Sequence, residues 1–300
     1  MDGYKKIIKS RKLRFKILSL LSFVPDKYML KLQYYIKHGR KLNLKNPQRY
    51  TEKIQWYKLY YRDPLMAQCA DKYYVRSYIE NKGLVDILTK LYYVYDNINE
   101  VEWDKLPEKF ALKVSNGSGT HFFCHDKSKI DVEKLKSEFS GYFERTKRSA
   151  AAEWVYHEIA PKLVIEELLE DENQNENSIC DYKFMCFSGK PEYIVYDVDR
   201  FTNHKRHIYD LNWNNLNVAS DCPCCDEEIA PPDNLSEMIE IARKLSEDFP
   251  AVRVDLYSIN GKIYFGELTF FPWSGYVQYT PDQFDFDAGA KFVLPEKNHK

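Results

Sequence analysis

Apolar positions along this chain follow two periods. Over residues 51–61 and 71–82 they recur at helical spacing, with Asp71 placed as an N-cap and Gly83 as a stop. Alternation takes over at 91–95 and at 110–115, where Phe110, Leu112 and Val114 interleave with Ala111, Lys113 and Ser115. A glycine turn at 116–120 and a strand at 121–124 complete a hairpin. Residues 132–148 and 151–159 read as helices, 163–169 as a short apolar strand and 171–177 as a polar loop. A second hairpin, 182–187 with 193–198, turns at Gly189-Lys190, and 206–211 extends it. Asn234 and Glu237 form a capping box for a helix over 235–248. A last hairpin, 252–257 with 262–268, turns at Asn260-Gly261. Antiparallel sheets kept apart from helices make the fold class α+β.

The last hairpin has two possible registers. A two-residue loop sets Asp255 against Gly266 and sends Glu267 to the opposite side of the sheet. A three-residue loop with a left-handed Gly261 pairs Arg253 with Glu267 and gathers Arg253, Asp255, Glu267 and Thr269 on one face. The second register leaves Val252, Val254, Leu256, Tyr264 and Leu268 as a coherent core side, and it is the expectation taken forward. Two carboxylates on such a face suit a hard divalent cation, or an ordinary cross-strand ion pair with Arg253.

Composition narrows the function classes. The 44 Lys+Arg nearly cancel the 45 Asp+Glu, and aromatic residues make up 15% of the 300. A nucleic-acid-coating protein and a disordered acidic chain are both excluded, and no nucleic-acid partner is expected. No apolar run is long enough to span a bilayer. The run 17–24 lacks a cleavage site, so no signal peptide is expected, and seven cysteines suggest free thiols in a reducing, cytoplasmic setting. Charge is nevertheless uneven. Residues 1–50 hold 14 Lys+Arg against Asp2 and Asp26, a net +12, which leaves -13 for the remainder. Residues 4–24 read as a basic amphipathic helix, either packed on the acidic body or touching the inner face of a membrane.

Lys113 lies mid-strand just before Asn116-Gly117-Ser118-Gly119, a loop that reads either as a tight turn or as a phosphate cradle. With Asp71-Lys72-Tyr73-Tyr74-Val75-Arg76, Val164-Ile165-Glu166-Glu167 and Asp255 followed by Gly266-Glu267-Leu268-Thr269, these segments resemble the ordered signature of ATP-grasp enzymes. Pro107-Glu108-Lys109-Phe110, Asp181-Tyr182-Lys183-Phe184 and residues 261–269 are similar to the teichuronopeptide-biosynthesis, or TupA-like, branch.

The resemblance implies an ATP-grasp fold in which two antiparallel-sheet subdomains clasp a nucleotide. Its expected segments are a basic helical region at 1–60, a helix-strand region at 61–105, a lid at 106–179 and a metal and acceptor subdomain at 180–300. Arg76 and Lys113 would meet ATP phosphates under the loop Asn116, Gly117, Ser118 and Gly119. Glu166 and Glu167 would lie at the adenine hinge, with Glu170 or Glu172 near the ribose. Asp255, Glu267 and Thr269 would hold Mg²⁺. Lys183, Arg206 and Arg253 would receive an anionic acceptor, beside the cluster Asp199-Arg200 and 204–207. The implied activity is carboxylate-amine ligation through an acyl phosphate, joining an amino acid or amine to a uronic acid of a surface polysaccharide.

Two other signals remain. Asp197-Val198-Asp199 is a D-x-D, with which sugar transferases hold a metal-bound nucleotide sugar, and it defines a rival glycosyltransferase reading. Cys222-Pro223-Cys224-Cys225 lacks paired C-x-x-C spacing and reads as a loop of free thiols.

Overall fold

The structure is a computed structural model that describes residues 24–117, 119–143, 151–171, 179–198, 204–223 and 228–299. Residues 4–23, Ser118, 144–148, Glu172, Asp199, Arg200, Cys224 and Cys225 therefore lie outside the described residues.

Helix α1 (Asp26–His38) ends at Gly39, whose φ of 68° closes the last turn. Helix α2 (Tyr50–Tyr60) follows, with its first turn fastened to the far end of the chain. The buried Asp285 carboxylate accepts from the Thr51 backbone N–H at 2.9 Å and from its hydroxyl at 2.7 Å. Helix α3 (Pro64–Ala70) carries proline in its first turn and Asp63 as its N-cap. The stretch expected as one helix over 71–82 is a turn followed by α4 (Val75–Asn81). Asp71 does act as a cap, accepting from the N–H groups of Tyr73 and Tyr74 at 2.8 and 3.1 Å.

Strands β1 (Leu91–Tyr95), β2 (Phe110–Val114), β3 (His121–Cys124) and β4 (Leu163–Glu166) form an antiparallel sheet in the order β1-β4-β2-β3. Helix α5 (Val132–Phe143) buries Leu135 and Phe139 against Phe110, Leu112, Leu163 and Ile165 of that sheet. Because β1 pairs with β4, the strand of the 61–105 segment belongs to the same sheet as the strands of 106–179. The helix expected over 151–159 reduces to one 3-10 turn at Trp154–Tyr156. Ala152 is left-handed at φ 54°, and Trp154 and Val155 are drawn into the larger core, so tertiary packing overrides helical spacing there.

The second sheet comprises β5 (Asp181–Phe187), β6 (Lys190–Val198), β7 (Lys205–Tyr209), β8 (Ala251–Ile259) and β9 (Lys262–Thr269), in the order β7-β6-β5-β8-β9. Helix α6 (Leu235–Ser246) covers one face of it, and α7 (Gln283–Lys291) packs on α2. The turn of β5–β6 is Ser188-Gly189, not Gly189-Lys190, since Phe187 pairs with Lys190. The expected capping box of α6 is absent. Asn234 instead accepts from the Ser258 hydroxyl at 3.0 Å and donates to the Gly261 carbonyl at 3.3 Å, tying the helix start to the β8–β9 hairpin.

That hairpin settles the register question in an unexpected way. Ile259 pairs with Lys262, so the loop has two residues, Asn260 and Gly261, both at positive φ. The pairing then shifts between Leu256 and Asp255: Leu256 faces Phe265, Asp255 faces Glu267 and Arg253 faces Thr269. Gly266 is the extra residue of a β-bulge. The shared face of Arg253, Asp255, Glu267 and Thr269 therefore exists, but a bulge inside the strand makes it rather than a longer loop. No described helix is long and apolar enough to cross a membrane.

Candidate functional site

Strands β8 and β9 present a dense set of charges. The Arg253 guanidinium donates to both Asp255 oxygens at 2.6 Å, to Glu267 Oε1 at 2.7 Å and to Thr269 Oγ1 at 3.1 Å. The Thr269 hydroxyl in turn donates to Glu267 at 2.7 Å. Burial, reinforced by the neighbouring Glu267, pushes the Asp255 carboxyl up to about 7 even though Arg253 opposes the shift. Glu267 is half-buried and forms the open edge of the group.

The other sheet supplies the opposing charges. Lys113 on β2 forms an ion pair with the buried Glu166 at the end of β4, and Glu166 also accepts from the Thr89 hydroxyl at 3.0 Å. Arg76 lies close enough to contribute to holding Glu166 ionised, while its guanidinium donates to the Thr89 carbonyl at 2.8 Å. Glu167 pairs through its backbone, its N–H donating to the Lys90 carbonyl at 2.9 Å. Glu170 is occupied on the surface by Lys109 and His125.

The glycine loop between β2 and β3 is shaped by two different requirements. Gly119 is left-handed at φ 67°, while a Cβ on Gly117 would fall 2.1 Å from Thr120 Oγ1. Asn116 anchors the loop to the Tyr156 carbonyl at 3.0 Å. Beneath it sits Lys72, whose ammonium donates to the Gly117 carbonyl at 2.6 Å. Burial lowers the Lys72 pKa, and its largest charge partner is Glu267, followed by Lys113. The Lys72 ammonium thus lies under the loop, within electrostatic reach of Glu267 and of Lys113.

Residues 52–293 match the TupA-like ATP-grasp family. The chain belongs to that family. In shape this TupA-like ATP-grasp protein is similar to D-alanine–D-alanine ligase from Bacillus anthracis, with a TM-score of 0.41 at 19% identity over 67% of this chain and 57% of that one. It is also similar to D-alanine–D-alanine ligase from Helicobacter pylori (TM-score 0.42, 15% identity, 79% of this chain and 64% of that one). A third similar structure is L-amino acid ligase from Bacillus licheniformis (TM-score 0.41, 13% identity, 76% of this chain and 49% of that one). The chain thus spans 49% to 64% of the length of these structures. No curated protein is similar to it in sequence.

On the acceptor side of the TupA-like protein every predicted cation already has a carboxylate. Lys183, which faces Asp255 in the β5–β8 register, bridges Asp181 at 2.7 Å and Asp197 at 3.1 Å. Arg206 binds Asp197 at 2.6 Å and Asp221 at 2.9 Å. Asp197 also meets His204 Nε2 at 3.0 Å, and Lys183 and Arg206 hold its carboxyl far below the usual range despite burial. Asp197 is thus enclosed by Lys183, Arg206 and His204. Cys222 contacts His204 Nδ1 at 3.3 Å through sulfur.

The donor set suits Mg²⁺. Lys183, Arg206 and Arg253 are ion-paired among five carboxylates, those of Asp181, Asp197, Asp221, Asp255 and Glu267. This excess of negative charge, and the raised Asp255 in particular, is what a divalent cation would relieve. Asp255, Glu267 and Thr269 offer only hard oxygen donors, and among the described residues no three His, Cys, Asp or Glu side chains converge into a full protein cage.

Two contributors escape sequence reading. Lys72 stands inside a recognisable segment, but only the capping role of its neighbour Asp71 is visible there. Trp273 lies beyond β9 in a turn where both it and Ser274 are left-handed, at φ 47° and 56°. Its indole packs 4.6 Å from the Arg206 guanidinium and 5.0 Å from that of Arg253. Helix α2 secures this turn: buried Lys58 and Gln55 both donate to the Ser274 carbonyl at 2.9 Å.

Proposed function

We propose that this protein is an ATP- and Mg²⁺-dependent carboxylate-amine ligase joining an amino acid or amine to the carboxyl group of an anionic sugar, such as a uronic acid of a surface polysaccharide. The observation that chiefly supports the ligase reading is the bulge-built face of Arg253, Asp255, Glu267 and Thr269, with the Lys113–Glu166 pair on the other sheet and Lys72 under the glycine loop. Membership of the TupA-like branch motivates the sugar acceptor. A requirement for ATP suits a cytoplasmic location.

Phosphoryl transfer demands charge neutralisation and alignment more than covalent chemistry from the protein. Lys72, Lys113 and Arg76 provide cations near the glycine loop, whose left-handed Gly119 has open space beside it for phosphate oxygens. Bound Mg²⁺ would supply Lewis-acid stabilisation, held by Asp255, Glu267 and Thr269. The acceptor carboxylate takes the γ-phosphoryl group, releasing ADP and giving an acyl phosphate. The amine then forms the amide bond as the acyl–oxygen bond breaks and phosphate leaves, and the amine's surplus proton passes to solvent. Arg253 would orient the carboxylate once a bound cation draws Asp255 and Glu267 from it, and the Trp273 indole covers the Arg206 and Arg253 guanidiniums.

Incubation with ATP, Mg²⁺, uronate-containing glycans and a panel of amines should release ADP and phosphate only when both acceptor and amine are present. The Glu267→Ala variant should lose that release by about 100-fold or more, the scale of a missing transition-state charge contact. Absence of substrate-dependent ADP from folded protein, or full activity in the variant, would overturn the proposal.

A further inference from the structure

Helix α1 carries apolar residues on two faces, and among the described residues only one is covered. Leu30 and Tyr34 are fully buried, and the Tyr34 hydroxyl bonds Thr51 at 2.9 Å. The Tyr276 hydroxyl donates to Gln33 at 2.7 Å, so this face is fastened to the body. The other face presents Tyr28, Leu32, Tyr35 and Ile36, which are 62%, 50%, 56% and 48% exposed. These are four of the seven large exposed hydrophobic residues among the described residues. At helical spacing they lie within an arc of about 100°, a continuous stripe rather than scattered side chains.

Charge indicates what covers the stripe. Lys27 and Lys31 are exposed along one edge, Lys41 follows the helix, and Asp26, the only acid of α1, is half-buried at its start. A second copy docked through this stripe would set Lys27 and Lys31 near their own duplicates. Residues 1–16 laid upon it would add seven Lys and Arg against a single Asp. Both arrangements bring like charges together. An anionic bilayer surface offers the opposite sign at its headgroups and an apolar layer just beneath, where tyrosine rings are well accommodated.

We infer that the α1 face formed by Tyr28, Leu32, Tyr35 and Ile36 docks on an anionic lipid surface, with Lys27 and Lys31 at the headgroups. The apolar side chains enter the interface and the lysines set the lipid preference, so each contribution is separately removable. This inference stands independently of the ligase reading.

The test uses the full chain sedimented with vesicles of phosphatidylcholine alone, or of phosphatidylcholine mixed with phosphatidylglycerol. Binding should appear with the mixed vesicles, weaken at high salt, and fall by about tenfold or more in the double variant Leu32→Glu, Ile36→Glu. A Lys27→Glu, Lys31→Glu variant should lose binding to the mixed vesicles by a similar factor. All four positions are exposed, so unchanged melting curves will show that the variants are folded. Equal binding by wild type and the Leu32, Ile36 variant would overturn the inference, as would no wild-type binding or equal binding to neutral vesicles. A wild-type dimer in light scattering that the same variant converts to monomer would assign the face to a second copy instead.

Discussion

Gly266 determines which side chains meet on β8 and β9. A Cβ there would lie 3.0 Å from the Asp255 carbonyl and 3.1 Å from the Tyr257 ring, so no other residue fits without moving the strand. Gly266→Ala is expected to cost about 1–3 kcal/mol, typical of overpacking, and to abolish activity by disturbing the Asp255–Glu267 pairing. Urea denaturation and the ADP assay check the two effects. Sequence reading identified the four residues of this face and missed the device that aligns them, because bulge and loop alternatives give the same parity beyond the shift. Lys72 and Trp273 were invisible for another reason. Their partners, Glu267 for one and Arg206 for the other, lie far away along the chain, and no local spacing announces them.

Among the elements, the α1–α2–α7 clasp joins the start of the described chain to its end. Arg40 bridges Asp282 at 2.7 Å and Asp285 at 3.2 Å, while His38 stacks on Tyr34 with ring centroids 4.2 Å apart. Burial, with the Arg40 charge added, lowers the His38 pKa from 6.5 to about 4. Its stabilising contribution is thus complete above pH 6.5 and is lost as pH falls through about 4. Denaturation at pH 7 and pH 4.5 should show His38→Leu losing roughly 1–2 kcal/mol less than wild type on acidification, after allowance for partial exposure. A parallel loss in both would remove His38 as the cause. Hairpins were the elements most legible in the sequence, since Asn260-Gly261 supplies its own turn geometry. Residues 151–159 were the least legible, because Trp154 and Val155 are claimed by a core assembled from distant segments.

At the scale of the molecule, each of the two antiparallel sheets carries its own ion pair, Lys113 with Glu166 on one and Arg253 with Asp255 on the other. A ligand that binds only the folded protein stabilises it by about 2.7 kcal/mol at a hundredfold excess over its Kd. For a chain of this size a non-hydrolysable ATP analogue with Mg²⁺ should raise Tm by about 4 °C. UDP-sugars should leave Tm unchanged. Stabilisation by a UDP-sugar, lost in Asp197→Asn, would favour the glycosyltransferase reading.

By itself the sequence determined the α+β class, the positions of the hairpins, and the order of motifs that the TupA-like family shares. The first two depend on periodicity and turn chemistry within a dozen residues, the third on resemblance along the chain. Tertiary structure alone decided that Gly266 bulges, that Lys72 braces the glycine loop and that Trp273 lies against two arginines. Among the described residues it also left one apolar face of α1 exposed while burying the other. Each of these is a matter of which distant side chain occupies the neighbouring space, and burial then fixes the charge each group can carry.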